Sequence, residues 1–393
     1  MGVAKLVEQY QEYVRGLRRH FHQYPELSYE EQETTKFIAN ELEKMGIPYE
    51  INPEKNTGII AVIQGAHEGK CVGLRADMDA LPVQEINTFD FKSKVDGRMH
   101  ACGHDGHMAV LLGAARMLVQ MKEELYGSVY LIFQPAEENG TGAPYMMRFG
   151  DWFERVDSIF GGHIWLDLPA GKVSIEAGER MAAADEFYVT IHGRPGHGSQ
   201  PHQTVDAVVV ASAMVMNLQT VVSRSLNPID SAAITIGGIK SDTYRFNIIA
   251  GEASMAGTTR YFNRHILPDM LERMKQVIEN TAKAYGATAE LDYREMVPPV
   301  VNDPECSRIA AAAVAKVMGA EAVSPMRKVT GGEDFGFYMQ HKPCCFAFFG
   351  LYNEEIGACH SHHSNNFNLD DSVLSAASGV YVQYAIDWLL EHR

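Results

Sequence analysis

Apolar positions follow two rhythms along this chain. Over 5–23 and 28–45 they recur every three or four residues, which predicts helices. Ser28 and Glu31 stand in the spacing of a capping box at the start of the second. The β-branched runs GIIAVIQG (58–65), KCVGLRADMD (70–79) and SVYLIFQ (128–134) read as strands, with a helix over 105–122 between the last two. Such alternation predicts an α/β domain whose sheet is covered by helices. The rhythm changes near Ala184. Strand 186–193, helix 205–222, strands 232–239 and 253–262, helix 267–285 and strand 287–295 follow in the order β-α-β-β-α-β, the ferredoxin-like split unit. That unit closes on itself and reads as an insertion. Helix 304–318, strand CCFAFFG (344–350) and helix 371–391 then complete the first domain. The expected organisation is a discontinuous domain of residues 1–183 and 297–393 around an inserted domain of 184–296.

Length supports two domains, since 393 residues exceed the size at which one core usually divides. The composition, 46% hydrophobic and 21% charged, is that of a soluble globular protein. A formal net charge of −16 disfavours nucleic acid and anionic membrane as partners. No apolar run approaches the length of a membrane span. The N-terminal stretch lacks the apolar centre of a signal peptide, and Leu6 stands where a myristoylation signal needs Ser or Thr. A cytoplasmic location is expected. The six cysteines, at 71, 102, 306, 344, 345 and 359, show no disulfide-scaffold spacing.

Four clusters carry metal-ligand chemistry. In ACGHDGHM (101–108), Cys102 and His104 can face one ion, or form a plain loop with a buried thiol and Asp105 capping the helix. In FQPAEENGTGA (133–143), Glu137 and Glu138 follow a strand end, where α/β enzymes present side chains to a crevice. Adjacent residues there diverge, so one can bind metal while the other accepts a proton. The alternative is a solvated acidic turn. His163 closes the apolar strand IFGGHIW (159–165), as a ligand or as a core histidine. ACHSHHSNNF (358–367) holds His360, His362 and His363 beside a strand, and metal binding is the leading physical reading of such a tract. A sheet that gathers its strand ends would collect all four clusters.

The blocks RRHFHQYPELSYEE (18–31), LRADMDALP (74–82), HACGHDGHMA (100–109), FQPAEE (133–138), GRPGHGSQPH (193–202), GGEDF (331–335) and HHSNNF (362–367), in this order, resemble one family across nearly the whole chain. It is the amidohydrolase branch of the aminoacylase and carboxypeptidase G metallohydrolases, which includes hippurate hydrolases, indole-acetyl-amino-acid hydrolases and N-acetyldiaminopimelate deacetylases. The resemblance implies a zinc-peptidase-like α/β catalytic domain with an inserted ferredoxin-like lid that dimerises. It implies two divalent ions per subunit, Zn²⁺ or Mn²⁺, with Co²⁺ or Ni²⁺ as alternatives. Their ligands would be Cys102, His104, Glu138, His163 and His363, with Glu137 as general base. A histidine four residues before Phe in the family pattern selects His363 over His360 and His362. The peptidase branch has a ligand histidine where this chain has Asp77, and the amidohydrolase branch uses Cys102 instead. Asp79 would hold a ligand imidazole.

The implied reaction is hydrolysis of N-acyl amino acids to a carboxylic acid and an amino acid. His197, on the lid, resembles the histidine that reaches across the dimer to the oxyanion, a donor worth about 3–4 kcal/mol. Asn247 and Arg260 lie in segments resembling substrate-binding positions, and Arg suits a bidentate grip on carboxylate. Asp105 and His107 read as structural. Two other readings compete: a dipeptidase or aminopeptidase on the same scaffold, and a binding protein without catalysis. The retained Glu137 argues against the second, since a carrier needs no proton shuttle.

Overall fold

The structure is a computed structural model that describes residues 2–393. These divide into two units: Gly2–Arg180 with Val301–Arg327 and Asp334–Arg393, and Met181–Val300 with Lys328–Glu333.

The first unit is built on a seven-stranded sheet, in the order Tyr49–Ile51, Ile59–Gln64, Tyr126–Gln134, His67–Asp77, Ser158–Pro169, Cys344–Tyr352 and Val173–Ser174. The four central strands run parallel, and the pairings outside them are antiparallel. Their near-continuous apolar runs are what a sheet buried on both faces requires. The helices Val3–Gln23, His104–Met121 and Leu374–Glu391 pack on one another, and Pro304–Met318 packs on the last. The helix His104–Met121 is buried nearly all round, with Leu111, Leu112 and Leu118 inaccessible in the core.

Parallel pairing places the C-terminal ends of the central strands together. Asp77 pairs with Gln134, and Leu74 pairs with Phe160. Three residues further on, Asp77 comes level with His163, which pairs with Phe348. The chain segments carrying Asp79, Glu137 and the histidine tract all leave the sheet on this side, the usual crevice of an α/β sheet.

The second unit is an antiparallel sheet in the order Ala232–Ser241, Glu252–Tyr261, Ala183–His192, Thr288–Val297. Its two helices, Ala207–Thr220 and Leu267–Ala284, pack on each other and share one core with the sheet. The chain order is the expected β-α-β-β-α-β.

Three local expectations are corrected. Helix Gln32–Met45 starts after Ser28 and has no side-chain cap, so there is no capping box. Ser28 Oγ donates instead to Asp79 Oδ2 (2.6 Å), and Glu31 Oε1 accepts from the Ala136 amide (3.0 Å). Asp105 does not cap its helix. Gly103 holds that position, and the Asp105 carboxylate accepts from Arg18 Nε (3.0 Å) and lies 2.7 Å from His22 Nδ1, all three side chains buried. A buried partner for Arg18 outweighs a cap that a glycine can replace. The stretch Ala207–Ser225 is, by length and composition, apolar enough to cross a membrane. Its Val210, Met214 and Leu218 face the core of the second unit.

Candidate metal centre

The start of helix His104–Met121 needs its two glycines, Gly103 at the N-cap and Gly106 in the first turn. Gly103 sits at φ +90°, a left-handed conformation that other residues strain to adopt. A Cβ on Gly106 would lie 2.4 Å from Ile164 Cδ1. The helix start is thereby pressed onto the strand Ser158–Pro169, which carries His163. His163 lies inside that strand and does not end it, because pairing with Cys344–Tyr352 extends it.

Each imidazole is oriented by what its other nitrogen does. His104 Nδ1 donates to the Asp79 carbonyl (2.8 Å) and lies 3.3 Å from the Asp79 carboxylate. Its Nε2 is left buried with no hydrogen-bond partner, 4.0 Å from both Glu137 Oε2 and Glu138 Oε1. His163 Nδ1 donates to the Ile164 carbonyl (2.6 Å), which turns Nε2 to within 3.5 Å of Cys102 Sγ. His363 Nε2 lies 3.4 Å from Glu138 Oε1, and the His363 amide donates to the Ala101 carbonyl (2.8 Å), so the histidine tract is tied to the Cys102 loop. His363 adopts φ +64°. His362 Nε2 instead donates to the Ile164 carbonyl (2.9 Å), which spends that nitrogen away from Glu138.

Donor atoms of Cys102, His104 and His163 lie within 4.8 Å of one another, as do those of Cys102, Glu138 and His363, and those of His104, Glu137 and Glu138. The expected divergence of the two glutamates is corrected: Ala136, at φ +56°, turns the chain so that both carboxylates approach His104 Nε2. The set fits a pair of divalent ions. An orphaned imidazole nitrogen costs free energy in a buried site unless something binds it, and the mixture of thiolate, imidazole and carboxylate is that of a borderline cation. Asp77 is already engaged, by Arg75 Nη1 (2.6 Å) and His107 Nδ1 (2.5 Å). His107 in turn accepts the Ile164 amide at Nε2 (2.9 Å), so it links helix to strand.

Without cations the cluster holds protons. Burial opposes charge on His104, yet Asp77, Asp79 and Glu138 outweigh it and push the imidazole up to about 10. Burial, then Glu138 and Glu137, push the Cys102 thiol well above its ordinary value. Donors must lose these protons to bind a cation. Metal uptake near pH 7.5 is therefore expected to release about two protons per chain, and affinity weakens as pH falls. Titration calorimetry in buffers of different ionisation enthalpy measures this; a count of zero would remove both groups from the donor set.

Sequence reasoning missed a second layer. Arg75, fully buried, donates to Gln134 Oε1 (3.0 Å) and Asp334 Oδ1 (2.9 Å) as well as Asp77. Gln134 Nε2 and the Ala143 amide also donate to the Asp334 carboxylate, and the Asp334 amide points at Glu137 Oε1 (3.4 Å). An arginine within an apolar strand was the available signal. Asp79 does more than hold His104: its Oδ1 and Oδ2 accept from the amides of Glu137 (3.0 Å) and Glu138 (3.1 Å).

In the second unit, His197 and Asn247 are neighbours. His197 pairs with Ile248, and the Gly198 amide donates to the Asn247 carbonyl (2.8 Å). His197 is exposed, and its Nδ1 accepts from the Ser199 amide (3.1 Å) and lies 2.7 Å from Ser199 Oγ, which leaves the ring proton on Nε2. Arg260 stands on the strand Glu252–Tyr261 and is held locally, by Thr258 Oγ1 and the Thr259 carbonyl.

The profile of peptidase family M20/M25/M40 matches residues 73–387. The chain belongs to this family. An N-acetylcysteine deacetylase of Bacillus subtilis is 38% identical over 94% of this chain and 95% of its own. IAA-amino acid hydrolase ILR1-like 4 of Arabidopsis thaliana is 38% identical over 96% of this chain and 86% of its own. Among solved structures, the YXEP protein of Bacillus subtilis, described as a dinuclear metal-binding peptidase of family M20, superposes with a TM-score of 0.87 at 34% identity, covering 98% of this chain and all of that one. Family membership and the donor groups together support two metal ions in this chain.

Proposed function

We propose that this family member hydrolyses the amide bond of N-acyl amino acids, giving a carboxylic acid and a free amino acid. The observation that carries the reading is the convergence of Cys102, His104, Glu138, His163 and His363 with Glu137 beside them. The two most informative relatives named above act, by their names, on N-acyl amino acids. Bound there, a pair of divalent ions supplies Lewis acidity to the substrate carbonyl and acidity to a water. Zn²⁺ is the proposed ion because a thiolate is in the donor set, with Mn²⁺ next.

The chain's own residues do the rest. Glu137 takes the proton from the attacking water and passes it to the amide nitrogen as the C–N bond breaks. Asp79 and the Asp334 amide hold Glu137 from its backbone and its carboxylate respectively. His197, with its proton on Nε2, is proposed as a donor to the oxyanion, and Asn247 and Arg260 as contacts for the substrate. Asp77 is engaged on both oxygens, by Arg75 and His107, which supports Cys102 as the donor in its place.

A homodimer formed through the inserted unit is part of the proposal. Its helix Ala207–Thr220 exposes Val208, Val209 and Met216, its edge strand exposes Ile239, and the loop after that strand exposes Tyr244 and Phe246 fully. So much exposed apolar surface favours a protein partner. The net charge of −16 disfavours polyanions as partners, and six free cysteines fit a cytoplasmic location.

The test is a panel of N-acetyl, N-benzoyl and indole-acetyl amino acids, run beside free-amine dipeptides on metal-free protein reconstituted with each ion. Turnover of the acyl amino acids over the dipeptides is expected. The reverse preference would make the protein a peptidase, and binding without turnover would make it a carrier.

A further inference from the structure

Three successive amides at the acid pair end on carboxylate oxygens. The Ala136 N–H donates to Glu31 Oε1 at 3.0 Å, the Glu137 N–H to Asp79 Oδ1 at 3.0 Å, and the Glu138 N–H to Asp79 Oδ2 at 3.1 Å. Ser28 Oγ donates to that same Asp79 Oδ2, and the Glu31 carbonyl is itself held by Thr35 Oγ1 (2.6 Å). Ala136 is the strained member, a non-glycine residue at φ +56° with no exposed surface. A residue in that conformation persists only where its surroundings over-determine it. Its buried amide has Glu31 as acceptor, and losing that acceptor would leave both the strain and an unpaired N–H.

Glu31 is itself inaccessible, and its second oxygen is buried with no hydrogen-bond partner. Nothing in its role as the residue before helix Gln32–Met45 calls for a buried acid there, since it makes no side-chain cap. Burial and the nearby Asp79 push its carboxyl up to about 8, so glutamine is a close mimic of its neutral form.

We propose that Glu31 is a positioning residue: by accepting the Ala136 amide it fixes the left-handed turn that aims Glu137 and Glu138 into the cluster. The consequence for hydrolysis rests on the reading of Glu137 as proton carrier. The grip on the turn does not.

Two measurements test it. In metal-free protein, hydrogen exchange over residues 134–140 is expected to quicken about tenfold or more in Glu31→Ala and to stay at the wild-type rate in Glu31→Gln, which keeps the accepting oxygen. In metal-loaded protein, Glu31→Ala is expected to lower kcat about 10²-fold with KM near wild type, and to weaken metal retention because Glu138 rides on the same turn, and Glu31→Gln to recover most of both losses. If Glu31→Ala does not fold, Glu31→Met, of similar volume and without an accepting oxygen, is read in its place. Wild-type exchange in the Ala or Met variant would overturn the proposal, and so would a Gln variant as fast-exchanging as the Ala one. Should the wild type hydrolyse no acyl amino acid, the functional reading falls, while the exchange measurement still decides the role of Glu31.

Discussion

Glu137→Ala is expected to lower kcat for an N-acyl amino acid by on the order of 10²- to 10⁴-fold, the span seen when a general base is removed. Bound metal should remain at the wild-type count, and KM should move little, because the lost interaction belongs to the transition state. The two adjacent acids differ in their neighbours. Glu138 Oε1 lies between His363 Nε2, at 3.4 Å, and His104 Nε2, at 4.0 Å. Glu137 approaches His104 only with Oε2, and its Oε1 faces the Asp334 amide. Glu138 is thus placed to join two imidazoles around cations, and Glu137 to stand at their side. Glu137→Gln should be as inactive as the alanine variant, since an amide cannot carry the proton. Steady-state kinetics with metal analysis of the same samples checks both points. Activity within tenfold of wild type in either variant would take the shuttle away from Glu137.

The regular elements were legible because each rests on a local period. Helix Pro304–Met318 and strand Ile59–Gln64 fall where the apolar spacing puts them. What the spacing could not show is where a polar group finds its partner. Ser28 and Glu31 have the spacing of a capping box, yet both are drawn to groups just past two strand ends, Asp79 and Ala136, 51 and 105 residues away. Arg75, inside a strand, and Asp334, in the turn before a short helix, are 259 residues apart and meet only in the folded chain. The donor set was legible as residue types in four clusters, but the choice within the histidine tract was not a matter of composition. His362 and His363 differ in one respect that no pattern displays: the first spends its Nε2 on the Ile164 carbonyl, and the second turns toward Glu138 through a left-handed backbone.

The cluster geometry makes Cys102 the most consequential donor. It is grouped with His104 and His163 on one side and with Glu138 and His363 on the other, so its sulfur is the atom common to both groups. Cys102→Ala is therefore expected to weaken both ions, dropping the bound count below one per chain after gel filtration. His163→Ala and His363→Ala, each belonging to one of those two groups, should each weaken one ion. Loss of several kcal/mol of Lewis-acid stabilisation corresponds to a fall in kcat on the order of 10³-fold or more for Cys102→Ala. The fold should survive, because the thiol lies in a loop and its loss opens little of the core around helix His104–Met121. Cys102→Ser tests the chemistry separately from the shape: a hydroxyl fits the space but is a poor ligand for a thiophilic ion, so its metal content should resemble the alanine variant with Zn²⁺. Elemental analysis beside circular dichroism decides the matter. Two ions per chain retained in a folded Cys102→Ala protein would move the shared position to another side chain, and Asp77, released from Arg75 and His107, would be the first to examine.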